Sequence, residues 1–189
     1  MSGILIILNA RVYNSYVEQL TILNDINNGT FDFIDSYENM EVEFPNTGVT
    51  SMNMKSVKAK YLLKDKKYDE ALDLLNSIKY DPLNMSEAQK AEIYFVKGKL
   101  DSMFNSSKTA WEALPLNQLH LVWYLKALSL FNKDSDIINI YNNYVNKTEN
   151  LKWIYFYFTA AYGIKDDINI QLIKNQAKET LFKYNHIDN

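Results

Sequence analysis

The chain has 189 residues, of which 47% are hydrophobic, and its formal net charge is −3. This apolar content excludes disorder along the whole chain and suits one domain or one continuous stack of repeats. The absence of cysteine excludes disulfides, thiolate zinc sites and cysteine nucleophiles. The acidic balance argues against a nucleic-acid partner. Five glycines and three prolines are too few for an all-β fold, so helices joined by short loops are favoured.

The N-terminal segment contains one dense apolar run, Ile4–Leu8. It is far shorter than the roughly 20 residues that a membrane-spanning helix needs, and it lacks the flanks of a signal peptide. Two interpretations are open: residues 1–10 are a hydrophobic cap on the first repeat, or the stub of a truncated membrane helix. Residues 11–189 are then predicted to form a single helical repeat domain, with a first helix pair near 11–27 and 31–40.

Charge is distributed unevenly along the chain. Residues 1–50 contain one base and seven acids, giving −6, whereas residues 51–100 contain ten lysines and seven acids, giving +3. Five of the acids lie between Asp32 and Glu43. Neighbouring repeats with complementary surfaces would explain this distribution, and so would a polarised groove for a charged partner. The acidic run itself is interpreted as a solvated face beside a lysine-rich neighbour, with cation binding as the alternative.

Internal similarity indicates a repeat. The segment Tyr68–Ala71 is followed by Pro82, and the segment Leu100–Met103 is followed by Pro115. Ala71 and Met103 are 32 residues apart and the two prolines are 33 apart, close to the 34-residue period of tetratricopeptide repeats. In the first helices of the two units, Ala91 and Tyr94 match Ala59 and Leu62.

Each of these prolines is followed by an asparagine, in Asp81–Asn84 and Leu114–Asn117. Proline ends one helix, and asparagine or the following Ser86 can cap the next. Ser86 and Gln89 have the spacing of a capping box. The prolines therefore mark the joints between helix pairs.

Residues 52–117 resemble tandem tetratricopeptide repeats, and the pattern extends loosely over most of 12–184. A further pair is predicted at 118–131 and 134–146, joined at Asn132-Lys133, and a last pair at 150–162 and 167–184. The resemblance implies an all-α fold: a right-handed superhelix, or α-solenoid, of about five antiparallel pairs. These pairs are predicted near 11–40, 52–82, 84–115, 118–146 and 150–184.

A narrower resemblance covers residues 44–125. Its motifs are Phe44-Pro45-Asn46, the helix start Lys55–Ala59, Asp101-Ser102 and the segment Leu114–His120. In this order they are similar to the soluble repeat segment at the C-terminal end of bacterial O-antigen polymerase or ligase-like membrane proteins. The resemblance implies an extracytoplasmic (periplasmic) accessory domain, attached to the membrane through a transmembrane region missing from this chain.

A catalytic site is not predicted. The two histidines, His120 and His186, are isolated, and there is no glycine-rich phosphate loop. His120 has two interpretations, a buried or capping histidine and a groove ligand. No metal site and no cofactor are expected.

Binding is predicted on the concave face, which the first helix of each pair lines in a stack of this kind. The predicted groove residues are Lys60, Glu92, Phe95 and Lys126, with Lys55, Trp123 and His120 as weaker candidates. The predicted function is a non-catalytic scaffold for protein–protein interaction. The lysines would meet the C-terminal carboxylate of a peptide or an anionic glycan. The alternative to the membrane-attached domain is a free-standing cytoplasmic adaptor that binds a peptide segment of a partner.

Overall fold

A computed structural model describes residues 2–28, 37–40, 42–43, 52–148 and 175. Seven α-helices occupy most of these residues, and no β-strand occurs among them. The helices are α1 (Ser2–Asn28), α2 (Met54–Lys64), α3 (Tyr68–Asn76), α4 (Met85–Val96), α5 (Leu100–Ala113), α6 (Gln118–Leu130) and α7 (Asp134–Asn143). The predicted all-α class is therefore confirmed for this part of the chain. The superhelical arrangement stays a prediction.

Three helical hairpins have the same type of turn between their two helices. In each, a left-handed residue ends the first helix: Lys66, Gly98 and Asn132, with φ of 61°, 68° and 53°. The lysine that follows donates its backbone N–H to a carbonyl in the last turn of that helix, as in a Schellman cap. These bonds join Lys67 to Leu62, Lys99 to Tyr94 and Lys133 to Leu128, at 2.8, 2.8 and 2.9 Å. The left-handed residues are 32 and 34 residues apart, so this turn recurs at a spacing close to that of the sequence repeat.

Equivalent positions in the three hairpins are buried. The residues seven before the left-handed position are Ala59, Ala91 and Leu125, and those five after it are Ala71, Met103 and Ile137. All six have no exposed surface. Alanine at three of these six positions lets paired helices approach closely, and the predicted alignment of Ala59 with Ala91 is confirmed. Helix α2 packs on α3, and α6 packs on α5 and α7.

Pro82 and Pro115 each occupy the second position of a β-turn, where the fixed φ of proline is favourable. The Asn84 N–H donates to the Asp81 carbonyl (3.1 Å), and the Asn117 N–H donates to the Leu114 carbonyl (3.0 Å). Asn117 Oδ1 accepts from the N–H groups of Leu119 and His120 at 3.0 and 3.3 Å, so its predicted capping role is confirmed.

The capping box predicted at Ser86 is wrong. Helix α4 begins one residue earlier, at Met85, and the Ser86 N–H donates to Asp81 Oδ2 at 2.7 Å. The Gln89 side chain does not return to the helix start, because its Nε2 donates to the Ser56 carbonyl at 2.8 Å. Asp81, the first residue of the turn, thus accepts a backbone N–H at the start of α4, which is the capping role predicted for the Ser86 side chain.

The chain divides into two compact units, residues 1–89 and 90–189, and the division falls within α4. In the first unit, Tyr61 donates a buried hydrogen bond to Asp25 of α1 at 2.8 Å, and its ring stacks on Tyr37. In the second unit, a hydrophobic cluster joins α5, α6 and α7 around Leu121, Leu125 and Ile137. The prediction of a single repeat domain over 11–189 stays a prediction.

The N-terminal helix is continuous. Helix α1 has 27 residues, so the run Ile4–Leu8 forms its first turns and leads without a break into the predicted helix 11–27. Most of the predicted partner helix 31–40 lies outside the described residues, apart from a short 3-10 turn at 37–39. The predicted last pair at 150–184 also lies outside them, apart from Asn175. Within the described segments, none of the helices is both long and apolar enough to cross a membrane.

Candidate functional site

Three of the predicted groove residues occupy one register position. Lys60, Glu92 and Lys126 each lie six residues before the left-handed turn residue, on α2, α4 and α6. Lys60 and Glu92 are partly buried, and Lys126 is only 5% exposed. The sequence alignment therefore selected equivalent positions on the first helix of each hairpin.

The second unit brings three predicted residues together in one cluster. Lys126 Nζ of α6 lies 3.4 Å from the ring centroid of Phe95 on α4 and 4.6 Å from that of Trp123. The two rings are tilted by 51°, with their centroids 6.1 Å apart. Both aromatic residues are partly buried and flank Ala91, Met103 and Ala127, which form the small core beneath them. We call Phe95, Trp123 and Lys126 the aromatic–lysine cluster.

Lys126 differs from the surface cation that the sequence predicted. Its ammonium faces two aromatic rings, and such cation–π contacts contribute about 0.5–2 kcal/mol each, depending on desolvation. Lys126 is nearly buried beside Phe95 and Trp123, and both of these rings are partly exposed.

Lysines of the first unit pair with the acidic segment that precedes them. Lys55 Nζ lies 2.8 Å from Glu43 Oε1, and Lys58 Nζ donates to the Glu38 carbonyl at 2.9 Å. Lys67 Nζ lies 3.4 Å from Glu38 Oε1. For these residues, complementary charged surfaces explain the uneven charge of the sequence. Lys55, predicted as a weaker groove residue, is part of this pairing.

Tyrosines add to the polar contacts of the first unit. Tyr37 donates its hydroxyl to Asp65 Oδ2 at 3.0 Å, and burial raises the pKa of this phenol above its usual value. Hydrogen bonding with the Tyr37 hydroxyl, together with Glu38, raises the pKa of the Lys67 ammonium. Burial and the hydrogen bond to Asp25 raise the pKa of Tyr61. These contacts join the acidic segment and α1 to α2 and the turn that follows it.

His120 lies in the interior. Its side chain has no exposed surface, and its backbone N–H is capped by Asn117. This placement agrees with the first of the two interpretations, a buried histidine in the first turn of α6. A ring with no exposed surface does not contribute to a binding face.

A pocket that the sequence analysis missed lies in the second unit. It has a volume of about 450 Å³ and is lined by α5, α6, α7 and the residue that follows α7. Lining residues include Lys108, Trp111, Tyr124, Lys133, Asp136 and Tyr144. Phe104, Lys108 and Trp111 are spaced by four and three residues on α5, a helical spacing that puts them on one face. This spacing is the sequence signal from which one wall of the pocket could have been predicted.

The walls of this pocket are aromatic and its rim carries both signs of charge. Trp111 stacks on Tyr124 with centroids 6.0 Å apart and meets Tyr144 edge-on at 5.2 Å. Burial, with the nearby carboxylates of Asp136 and Glu112, raises the pKa of Tyr124. Lys108 lies 3.6 Å from Glu112 at the surface. Aromatic rings beside hydroxyl, amide and ammonium groups suit a small polar ligand with one apolar face.

Metal coordination finds no support in the described residues, where no three histidine or acidic side chains lie together as a cluster that could hold an ion. No family model, curated protein or solved structure matches the chain.

Proposed function

We propose that this protein is a non-catalytic binding scaffold that recognises a peptide segment of a partner protein. The observation that carries the proposal is the aromatic–lysine cluster on the first helices α4 and α6. In stacks of helical hairpins, the first helices line the surface that binds extended peptides. The repeated turns at Lys66, Gly98 and Asn132 support this type of architecture.

The chemistry of the cluster suits a peptide anchor. Aromatic side chains dominate the energy of protein interfaces because they bury large areas at a low entropic cost. Phe95 and Trp123 are partly exposed and held by Lys126, so little ordering is needed when a ligand side chain packs on them. Glu92 lies one turn before Phe95 on α4 and gives the same face an acceptor for a basic or hydroxyl group.

The proposal includes the larger protein to which this scaffold belongs. The motifs between Phe44 and His120 support an accessory domain on the extracytoplasmic side of an O-antigen polymerase or ligase-like membrane protein. A free-standing cytoplasmic adaptor is the alternative. The complete open reading frame discriminates between them: several apolar spans ahead of this segment would support the first, and initiation at Met1 would contradict it.

Selection from a random peptide library displayed on phage, with the full chain as target, tests the binding function. We expect a family of related peptides that bind the wild-type chain. Trp123→Ala should weaken binding of these peptides at least about tenfold, because truncation of an aromatic anchor costs about 2 kcal/mol or more. Affinities would be measured by isothermal titration calorimetry on purified proteins.

The matched control is Tyr80→Ala, which removes another exposed aromatic ring, in the first unit. It should leave the affinity unchanged, and circular dichroism should show both variants to be folded. Peptides that bind Trp123→Ala as tightly as wild type would contradict the proposed site. A selection that enriches no peptide family would contradict the scaffold function.

The pocket between α5 and α7 favours a second candidate function, the binding of an acidic saccharide. Sugars pack their C–H faces on aromatic rings, and Lys108 and Lys133 at the rim complement a carboxylate. This ligand class agrees with the anionic glycan expected for a polysaccharide-associated domain. Lys133 also lies over the Phe104 ring at 5.9 Å, so a sugar would replace a weak contact.

A titration with glucuronic acid disaccharides, followed by calorimetry, tests this second candidate. Binding that is lost in Lys133→Ser and kept in Trp123→Ala would support the pocket. The reverse pattern, or absence of heat at millimolar disaccharide, would reject it.

A further inference from the structure

Helix α1 has an inverted surface. The residues that it buries are mostly polar and follow a helical spacing: Ser15, Gln19, Ile22 and Asp25. Gln19 donates to Ser15 along this face at 3.2 Å, and Asp25 accepts from Tyr61. The large side chains that it exposes are mostly apolar. The apolar ones are Ile4, Leu5, Ile6, Ile7, Leu8, Val12, Tyr13, Tyr16, Val17 and Leu20. An amphipathic helix of a water-soluble domain shows the opposite pattern.

The exposed apolar surface surrounds the start of the helix. The residues of Ile4–Leu8 are between 46% and 76% exposed. Five consecutive residues exceed one helical turn of about 3.6, so their side chains point in every direction around the axis. A protein partner would cover one stripe of such a helix. An apolar medium that encloses the helix covers all of it, and this favours lipid over a second copy of the chain.

The residues that follow have the character of a membrane interface. Tyr13 and Tyr16 are exposed, and Arg11 is the only charged residue between positions 2 and 17. Tyrosine and arginine combine apolar stems with polar ends and are favoured at the level of lipid headgroups. The first acidic residue, Glu18, follows this segment. The charged side chain nearest to Ile4–Leu8 is therefore that of Arg11, whose guanidinium attracts anionic headgroups.

We propose that residues 4–17 of α1 insert at a steep angle into one leaflet of a lipid bilayer that contains anionic lipid. Residues 11–17 then lie at the level of the headgroups, and acyl chains enclose Ile4–Leu8 on all sides. This run is about 7.5 Å long at 1.5 Å per residue, far less than the roughly 30 Å thickness of the hydrocarbon core, so the run alone does not cross the bilayer. The polar face from Ser15 to Asp25 then keeps the helix attached to the rest of the first unit. This proposal is independent of the ligand of the aromatic–lysine cluster.

Co-sedimentation of the full chain with vesicles tests the proposal. The probes are vesicles of phosphatidylcholine and of phosphatidylcholine mixed with phosphatidylglycerol. We expect the wild-type chain to bind the mixed vesicles more tightly. The double variant Ile6→Glu with Ile7→Glu should lower the partition coefficient at least about tenfold, since acids on the lipid-facing surface oppose insertion. Arg11→Gln should remove most of the preference for phosphatidylglycerol.

The matched control is Tyr80→Glu with Leu116→Glu, which places two acids at exposed apolar positions outside α1. It should bind vesicles nearly as well as wild type. Ile6 and Ile7 are exposed, so their substitution removes no packing, and circular dichroism checks that helicity is retained. Equal binding by the α1 variant and wild type would overturn the proposal. So would absence of vesicle binding together with a wild-type dimer in light scattering that the α1 variant disrupts.

Discussion

The two compact units of this chain contain the same left-handed turn between paired helices, but they differ in the polarity of the side chains that they bury. The first unit encloses many polar side chains: Ser15, Gln19, Asp25, Asn53, Ser56, Ser86 and Gln89. The second unit is centred on aliphatic and aromatic residues, which include Trp111, Leu121, Leu125, Leu128, Ile137 and Tyr141. Among the described residues of this unit, which are 90–148 and 175, the buried polar ones are fewer: Ser106, Ser107, His120 and Lys126.

The difference shows that one backbone repeat can be stabilised in two ways. Apolar burial in the second unit is non-directional and tolerates small shifts between helices. Hydrogen bonds in the first unit, such as Tyr61 to Asp25 and Gln89 to Ser56, require defined positions. Each also leaves a buried polar group unsatisfied if one partner is removed. The second unit should therefore be most sensitive to lost volume and the first to lost hydrogen bonds.

Loss of volume in the second unit should have the largest effect. Leu125→Ala truncates a side chain with no exposed surface in the centre of the cluster. The free energy of unfolding should fall by about 3 kcal/mol, since a cavity remains where the leucine was. Urea denaturation followed by circular dichroism measures it. Leu116→Ala, at an exposed leucine, should change stability by less than about 0.5 kcal/mol, and similar losses for both would contradict the cluster.

Loss of a hydrogen bond in the first unit should come next. Tyr61→Phe keeps the ring and removes the hydroxyl that donates to Asp25 at 2.8 Å. We expect a loss of about 2 kcal/mol at neutral pH, because a buried carboxylate loses a donor. The same urea denaturation measures the loss. A stability equal to wild type would show that this hydrogen bond does not hold α1 to α2.

The same variant should alter the pH dependence of stability. Burial raises the pKa of Tyr61 above the ordinary value of 10.0, so the folded chain keeps this proton while the unfolded chain releases it. The stabilisation is fully present below pH 10 and is lost as pH rises through the folded pKa. Above pH 10, wild type should lose stability more steeply than Tyr61→Phe. Equal slopes in urea denaturation at several alkaline pH values would contradict this assignment.

A smaller effect with the opposite sign is expected at Ser56. Its Oγ is buried and has no hydrogen-bond partner among the described residues, and the equivalent position in the next hairpin is Ala88. Ser56→Ala should therefore raise the free energy of unfolding by about 1 kcal/mol. The control in the second unit is Ser107→Ala, where Oγ donates to the Phe104 carbonyl at 2.9 Å. That variant should lose stability, and a loss at Ser56 as well would contradict the contrast between units.

The sequence predicted the hairpins of residues 52–146 well because their determinants are local or periodic. Proline marks a turn through its fixed φ, asparagine caps a helix with its own side chain, and small residues recur where helices approach. Pro115, Asn117 and the pair Ala59 and Ala91 follow these rules. The left-handed turn residue is less visible, because glycine at Gly98 is replaced by Lys66 and Asn132 in the other hairpins.

The inverted face of α1 and the burial of Lys126 could not be predicted in this way. Patterns of hydrophobicity assign polar residues to the surface, whereas Gln19 and Asp25 are buried, and Asp25 accepts a hydrogen bond from Tyr61, which is distant in the chain. Lys126 is buried because two rings from different helices meet its ammonium. The pocket between α5 and α7 also depends on tertiary packing, and helical spacing alone indicated only its α5 wall.

The most direct test of the central claim, a peptide-binding face on the first helices, is amide chemical-shift mapping. A peptide selected on the full chain would be titrated into the ¹⁵N-labelled protein. The account predicts the largest shifts on α4 and α6 around Phe95, Trp123 and Lys126, together with the Trp123 indole N–H. Shifts confined to the pocket residues of α5 and α7, such as Lys108 and Asp136, would contradict it.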